Sequence, residues 1–152
     1  MKKILVMIVP LMLFCQGCSL DTYFIIQMFK AKITVAEAMK VKDDIDMAVN
    51  PAKKSELLSA LKKKMIKIDN VKVKRVINSS NIDYDFCVVV EAEYEKGQVE
   101  CYVYSKEVST IADIEAGVSS INCVGDFSKF FTSVEDTFLK IEMTNSNISI
   151  LR

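Results

Sequence analysis

Apolar residues open this chain as one block and then settle into alternation. Ile4–Phe14 is an unbroken apolar run of eleven behind Lys2 and Lys3, shorter than the ~20 residues a membrane-spanning helix needs. Beyond it the period changes repeatedly. Tyr23–Thr34 reads as β-rich, and Thr34 with Glu37 has the capping-box spacing that starts one short helical turn. Ile45, Met47 and Val49 alternate with polar residues, which predicts a half-buried strand over 44–49. Asn50-Pro51 is a helix start signal, and Leu57, Leu58, Leu61 and Met65 then stack along one face of a helix over 51–66.

β character returns at 68–77, where Ile68, Val71, Val73 and Val76 are the apolar positions. The clearest strand is Phe86–Tyr94, with Phe86, Val88, Val90, Ala92 and Tyr94 on one side and Glu91, Glu93 and Glu95 in water. Glu95–Gln98 predicts a turn, and Val99, Cys101 and Val103 return on the same face to complete a hairpin. The last third predicts helices. Thr110 and Asp113 form a box, with Gly117 as the stop. Phe127, Phe130, Phe131, Val134 and Phe138 then recur at helical spacing behind Asp126. That stripe reads as the core face of a helix, or alternatively as a groove partner for another protein. Asn147–Leu151 closes the chain as a candidate edge strand. These elements predict an α+β fold of antiparallel hairpins packed by two or three helices.

The opening block belongs to an export signal: a basic start, the apolar run, then small Gly17 directly before Cys18. Gly17-Cys18 resembles the lipobox of the bacterial lipoprotein class, with Gln16 tolerated and Cys15 standing where that class prefers Leu. The resemblance covers residues 1–18 alone. It implies cleavage before Cys18, thioether-linked diacylglycerol on its sulfur, and N-acylation in many Gram-negative bacteria. Ser19 implies transport to the outer membrane under enteric-type sorting. An uncleaved anchor and an ordinary secretory signal are the competing readings. The anchor would bury Gln16, Ser19, Asp21 and Gln27 at membrane depth, where polar groups are costly.

Removing residues 1–17 leaves 18–152, with no Pro/Gly/Ser linker or repeat, so a single small domain tethered at Cys18 is expected. Cys87, Cys101 and Cys123 remain, an odd number that allows at most one bridge. A tight turn at Lys96-Gly97 would oppose Cys101 to Ala92 and place Cys87 on the other face. Cys101–Cys123 is then the candidate disulfide, and three buried unpaired thiols are the alternative.

Chemistry-bearing residues are sparse. The chain has no histidine, which removes the commonest general base and metal ligand. It also lacks tryptophan, a Gly-rich phosphate loop and any CxxC beyond Cys15–Cys18. No enzyme, metal or cofactor is expected. Glu91 and Glu93 share a strand face, so a carboxylate-based hydrolase is conceivable, although a solvated strand face explains them more simply.

Twenty basic and twenty acidic residues cancel, but not locally. Residues 53–75 hold nine Lys/Arg against Glu56 and Asp69, while 78–152 hold five against thirteen acids. Lys53, Lys54, Lys62, Lys63 and Lys64 are therefore candidates for contact with an anionic membrane surface, or for pairing with the protein's own acids. Nucleic acid is a poor fit, because the segment is short and lacks interleaved aromatics. The expected function is a lipid-anchored, non-enzymatic binding protein of the cell envelope, with an envelope protein as partner. A carrier or sensor of a small hydrophobic ligand is the alternative.

Overall fold

The computed structural model describes residues 29–132 and 138–151. The chain divides into two units, Met1–Lys30 and Ala31–Arg152, and the second holds the fold. The expected signal segment and Cys18 lie outside the described residues, as does Val134 of the phenylalanine stripe.

Nine elements follow in order: β1 (Lys32–Thr34), α1 (Val35–Met47), α2 (Pro51–Lys62), β2 (Met65–Asn78), β3 (Phe86–Tyr94), β4 (Gly97–Tyr104), α3 (Val108–Ala112), β5 (Ser120–Thr132) and β6 (Leu139–Leu151). Strands β2, β3 and β4 form an antiparallel meander, and β5 returns to pair antiparallel with β2. That spatial order, 5-2-3-4, is a Greek key. β6 fills the remaining gap, antiparallel to β5 and parallel to β4. The five strands thereby close into a barrel, and β1 adds a short parallel partner beside the start of β2.

This corrects the expected α+β fold. The structure is mostly β, 51% strand against 26% helix, and its sheet packs against itself around a barrel interior rather than against two or three helices. Val73, Val88, Val90, Val103, Ile121, Ile141 and Met143 fill the interior with no exposed surface, each burial stabilising by roughly 1.5–3 kcal/mol. Helices serve as plugs. Val35, Ala38 and Met39 of α1 and Leu61 of α2 join that interior, as does Ile111 of α3.

Two misread segments account for the difference. The 44–49 alternation is the exposed end of α1, which extends to Met47; Met47 and Val49 stand in solvent at 72% and 97%. A three-residue alternation is too short a window to separate period two from a polar helix end. The Thr34–Glu37 box does form, with both reciprocal bonds, and starts a 13-residue helix rather than a single turn. Phe127, Phe130 and Phe131 of the phenylalanine stripe lie on strand β5. Register shifts between Val124 and Asp126 and between Phe127 and Lys129 insert bulges, so Phe127 and Phe130 both turn inward at a spacing of three. A bulged strand thus imitates helical periodicity. Phe131 faces outward and Phe138 is 77% exposed.

Other elements shift in extent. α2 begins as expected, with Asn50 Oδ1 accepting from the Ala52 N–H at 2.8 Å and Pro51 at the first position. It ends at Lys62, and Met65 belongs to β2. α3 starts at Val108 without a side-chain cap and is only five residues long. Asn147–Leu151 is the end of a 13-residue closing strand. The β3–β4 hairpin forms with Glu95-Lys96 as its turn, so Cys101 pairs with Val90 rather than Ala92.

Candidate functional site

Strand β2 cannot serve all its neighbours along its whole length. It pairs with β1 over Met65–Lys67, with β5 up to Lys72, and with β3 only from Val73 onward. A bulge between Ile68 and Val71 makes the bend. There Asn70 adopts a left-handed φ of 48°, and its N–H donates to Asn122 Oδ1 at 2.7 Å. Asn tolerates this conformation better than other non-glycine residues. A seam consequently opens between Ile68–Lys72 and Glu91–Glu93. The first turn of α1, Thr34 to Ala36, fills part of it and leaves a cleft of about 450 Å³.

The floor of the cleft is apolar, formed by Ile68, Val71 and Ala92, and its rim carries Lys67, Asp69, Lys72, Glu91 and Glu93. Lys67 and Asp69 pair at 2.7 Å. Glu91 and Glu93, the carboxylates singled out in the sequence, both reach this rim.

The cleft rim shares Glu91 with the outer face of the barrel. Strand register sets two rows there: Val89–Tyr102–Glu142–Lys129 and Glu91–Glu100–Lys140–Phe131. A bulge between Val73 and Arg75 lets both Lys74 and Arg75 reach these rows. Lys74 pairs with Glu100 at 2.8 Å and Glu91 at 3.4 Å. The Glu100 hydrogen bond raises the Lys74 pKa above its ordinary value. Arg75 donates to Glu100 at 3.2 Å and to the Tyr102 hydroxyl at 3.0 Å. The Tyr102 ring meets Phe131 edge-on, 5.1 Å between centroids. Lys129 lies 5.9 Å over the Phe131 ring and pairs with Glu142 at 3.3 Å, while the Ser128 hydroxyl donates to Glu142 at 2.8 Å. Within these rows Lys140 and Glu142 are themselves buried.

A smaller apolar cluster of Cys87, Val89 and Tyr104 flanks this face. Tyr84, from the 79–85 loop, covers it with its ring 5.4 Å from that of Tyr104. The Tyr84 hydroxyl donates to Asn145 Oδ1 and accepts from the Asn145 N–H, both at 2.9 Å. Burial pushes the Cys87 thiol and the Tyr104 hydroxyl up to about 12.

The remaining sequence candidates do not form the arrangements expected of them. Cys101 and Cys123 are free, buried thiols inside the barrel, on strands that β6 separates. The expected bridge does not form, and the alternative of three buried thiols describes the structure. Burial pushes Cys123 up to about 12 and Cys101 well above the usual thiol range. Lys53, Lys54, Lys62, Lys63 and Lys64 do not share a face. Lys53 pairs with Glu56 at the start of α2, and Lys63 and Lys64 lie beyond its end. Each helical residue turns by about 100°, so Lys53, Lys54 and Lys62 point in different directions around α2. Among the described residues no cluster of His, Cys, Asp or Glu is placed to hold a metal ion, and no helix is long and apolar enough to cross a membrane.

The sequence does not single out Arg75 and Tyr102 as site residues, and it offers Phe131 only within the phenylalanine stripe. Tyr102 was legible, because Cys101 and Val103 facing inward puts it outside. The apolar pattern of 68–77 leaves Lys74 and Arg75 exposed, but the β2 bulge that turns both onto these rows leaves no mark in the sequence.

No family model and no curated protein matches this chain. Among solved structures it is similar to an OB domain from Methanosarcina mazei, determined by solution NMR. The likeness has 12% identity and a TM-score of 0.33, over 58% of this chain and 71% of that one.

Proposed function

We propose that this chain is a non-enzymatic binding module of the cell envelope, lipid-anchored at Cys18, whose ligand lies along the seam cleft and the adjoining β3–β4–β6–β5 face. The observation that carries the reading is that cleft and face share Glu91. It lines the cleft of about 450 Å³ and heads a row that strand register carries through Glu100 to Phe131, beside Arg75 and Tyr102. That volume falls within the ordinary range for ligand pockets. Aromatic and arginine side chains are also the residue types that anchor partners most strongly. The barrel interior is filled by side chains and the cleft rim is ionic, which favours binding along a surface over carriage of a hydrophobic ligand.

Site-specific photo-crosslinking in cells tests the binding surface. A crosslinking residue in place of Tyr102 or Glu93 is expected to give a discrete adduct, and one in place of Ser59 on α2 none. Equal adducts at all three positions, or none anywhere, would refute the reading. The anchor is tested separately. Palmitate labelling should disappear in Cys18→Ser, and globomycin should make the precursor accumulate.

A further inference from the structure

Resting on that proposed surface, we infer that its ligand is an uncharged, polyhydroxylated chain: a neutral glycan strand laid from the cleft across the barrel face. The argument begins with charge. Each accessible cation on the outer rows is already matched to a carboxylate, Lys74 and Arg75 to Glu100 and Lys129 to Glu142. On the cleft rim Lys67 is held by Asp69, and Lys72 shares the rim with Asp69, Glu91 and Glu93. A phosphate or sulfate drawn to any of the paired cations would sit within a few ångströms of a carboxylate, and like charges at that range repel. Polyanion sites instead expose cations that phosphates can neutralise. A strongly cationic ligand meets the converse difficulty. The face suits a ligand with no net charge.

Its remaining features specify polar recognition. Planar guanidinium and carboxylate groups can donate and accept paired hydrogen bonds, which suits adjacent hydroxyls on a sugar ring. The perpendicular Tyr102–Phe131 pair supplies an apolar corner for the C–H face of such a ring. Four strands at about 4.8 Å spacing span roughly 14 Å from the cleft rim on β3 to Phe131 on β5, enough for several linked sugars.

The test uses the full chain in detergent micelles. Probes are hexamers of glucose and of N-acetylglucosamine, with a thymidine oligonucleotide of similar length for comparison. At least one hexamer should shift amide resonances at 89–91, 100–102 and 129–131. Its affinity should hardly change between about 50 and about 300 mM salt, whereas phosphate-driven binding falls steeply over that range. Tyr102→Ala should weaken binding about tenfold or more. Glu100→Gln, a shape-conserving change, should weaken it while its amide spectrum stays folded. The inference fails if neither hexamer binds, or if the oligonucleotide binds this face and the hexamers do not. If crosslinks at Tyr102 and Glu93 persist while both hexamers fail, the glycan assignment alone falls. Loss of the crosslinks overturns the surface itself.

Discussion

At the scale of single residues, Gly125 shows how little slack the closing strands leave. A Cβ built there would meet Ser146 Oγ at 2.1 Å, Ser146 Cβ at 2.9 Å and the Thr144 carbonyl at 3.1 Å. Gly125→Ala is therefore expected to lose about 1–3 kcal/mol of stability, measurable by denaturant unfolding. Ser146 makes the converse case. Its hydroxyl is buried with no hydrogen-bond partner among the described residues, so Ser146→Ala should hold or slightly raise stability, by up to about 1 kcal/mol. The thiols allow a third measurement. The raised pKa values of Cys87 and Cys123, about 12 in both cases, and the upward shift at Cys101 leave almost no thiolate at neutral pH. Residue-resolved alkylation should find all three unreactive in the folded protein and reactive after unfolding. A Cys101–Cys123 bridge would leave two of them unreactive in both states unless a reductant is added.

At the scale of elements, the capping box at the head of α1 couples stability to pH. The Thr34 N–H donates to Glu37 at 2.7 Å, and this bond with that from the Thr34 hydroxyl lowers the Glu37 pKa below 4.5. A depressed carboxyl pKa means that the folded state binds its proton less readily than the unfolded chain. The stabilisation is complete above the unfolded pKa and disappears as pH falls through the folded one. Thr34→Ala should cost about 1 kcal/mol at neutral pH, and the gap from wild type should narrow in denaturation measured below about pH 4. The box was legible because it is a local pattern, Thr34 and Glu37 three residues apart. So were Asn50-Pro51 and the β3–β4 alternation, each written within a few neighbouring residues. The barrel was not. Its closure depends on the pairing of Met65–Lys72 with Ser120–Asp126, and no local period records a partner that distant. Bulges concealed more: inward turns at Phe127 and Phe130 counterfeit a helix, and the break at Asn70 opens the cleft without a motif. Glu91 and Glu93 could therefore be named from sequence, but the cleft they rim could not.

At the scale of the whole molecule, β2 pairs with the penultimate strand, and the last strand completes the ring between β4 and β5. The N-terminal meander alone has no partner for Met65–Lys72 along the β5 side, and its inward valines would face water. Truncation after Ser119 should therefore yield a chain without a cooperative unfolding transition, which circular dichroism on heating would reveal; cooperative melting of that fragment would contradict the account. Pairing so distant in sequence also places the domain among slow folders, in milliseconds to seconds rather than microseconds. During synthesis the protein thus has no finished state to occupy until Leu139–Leu151 has cleared the ribosome. Until then it remains a threadable polymer. Under the proposed export, that delay would keep the chain in the form a narrow translocation channel accepts, so the closure of the barrel would act as a clock as well as a scaffold.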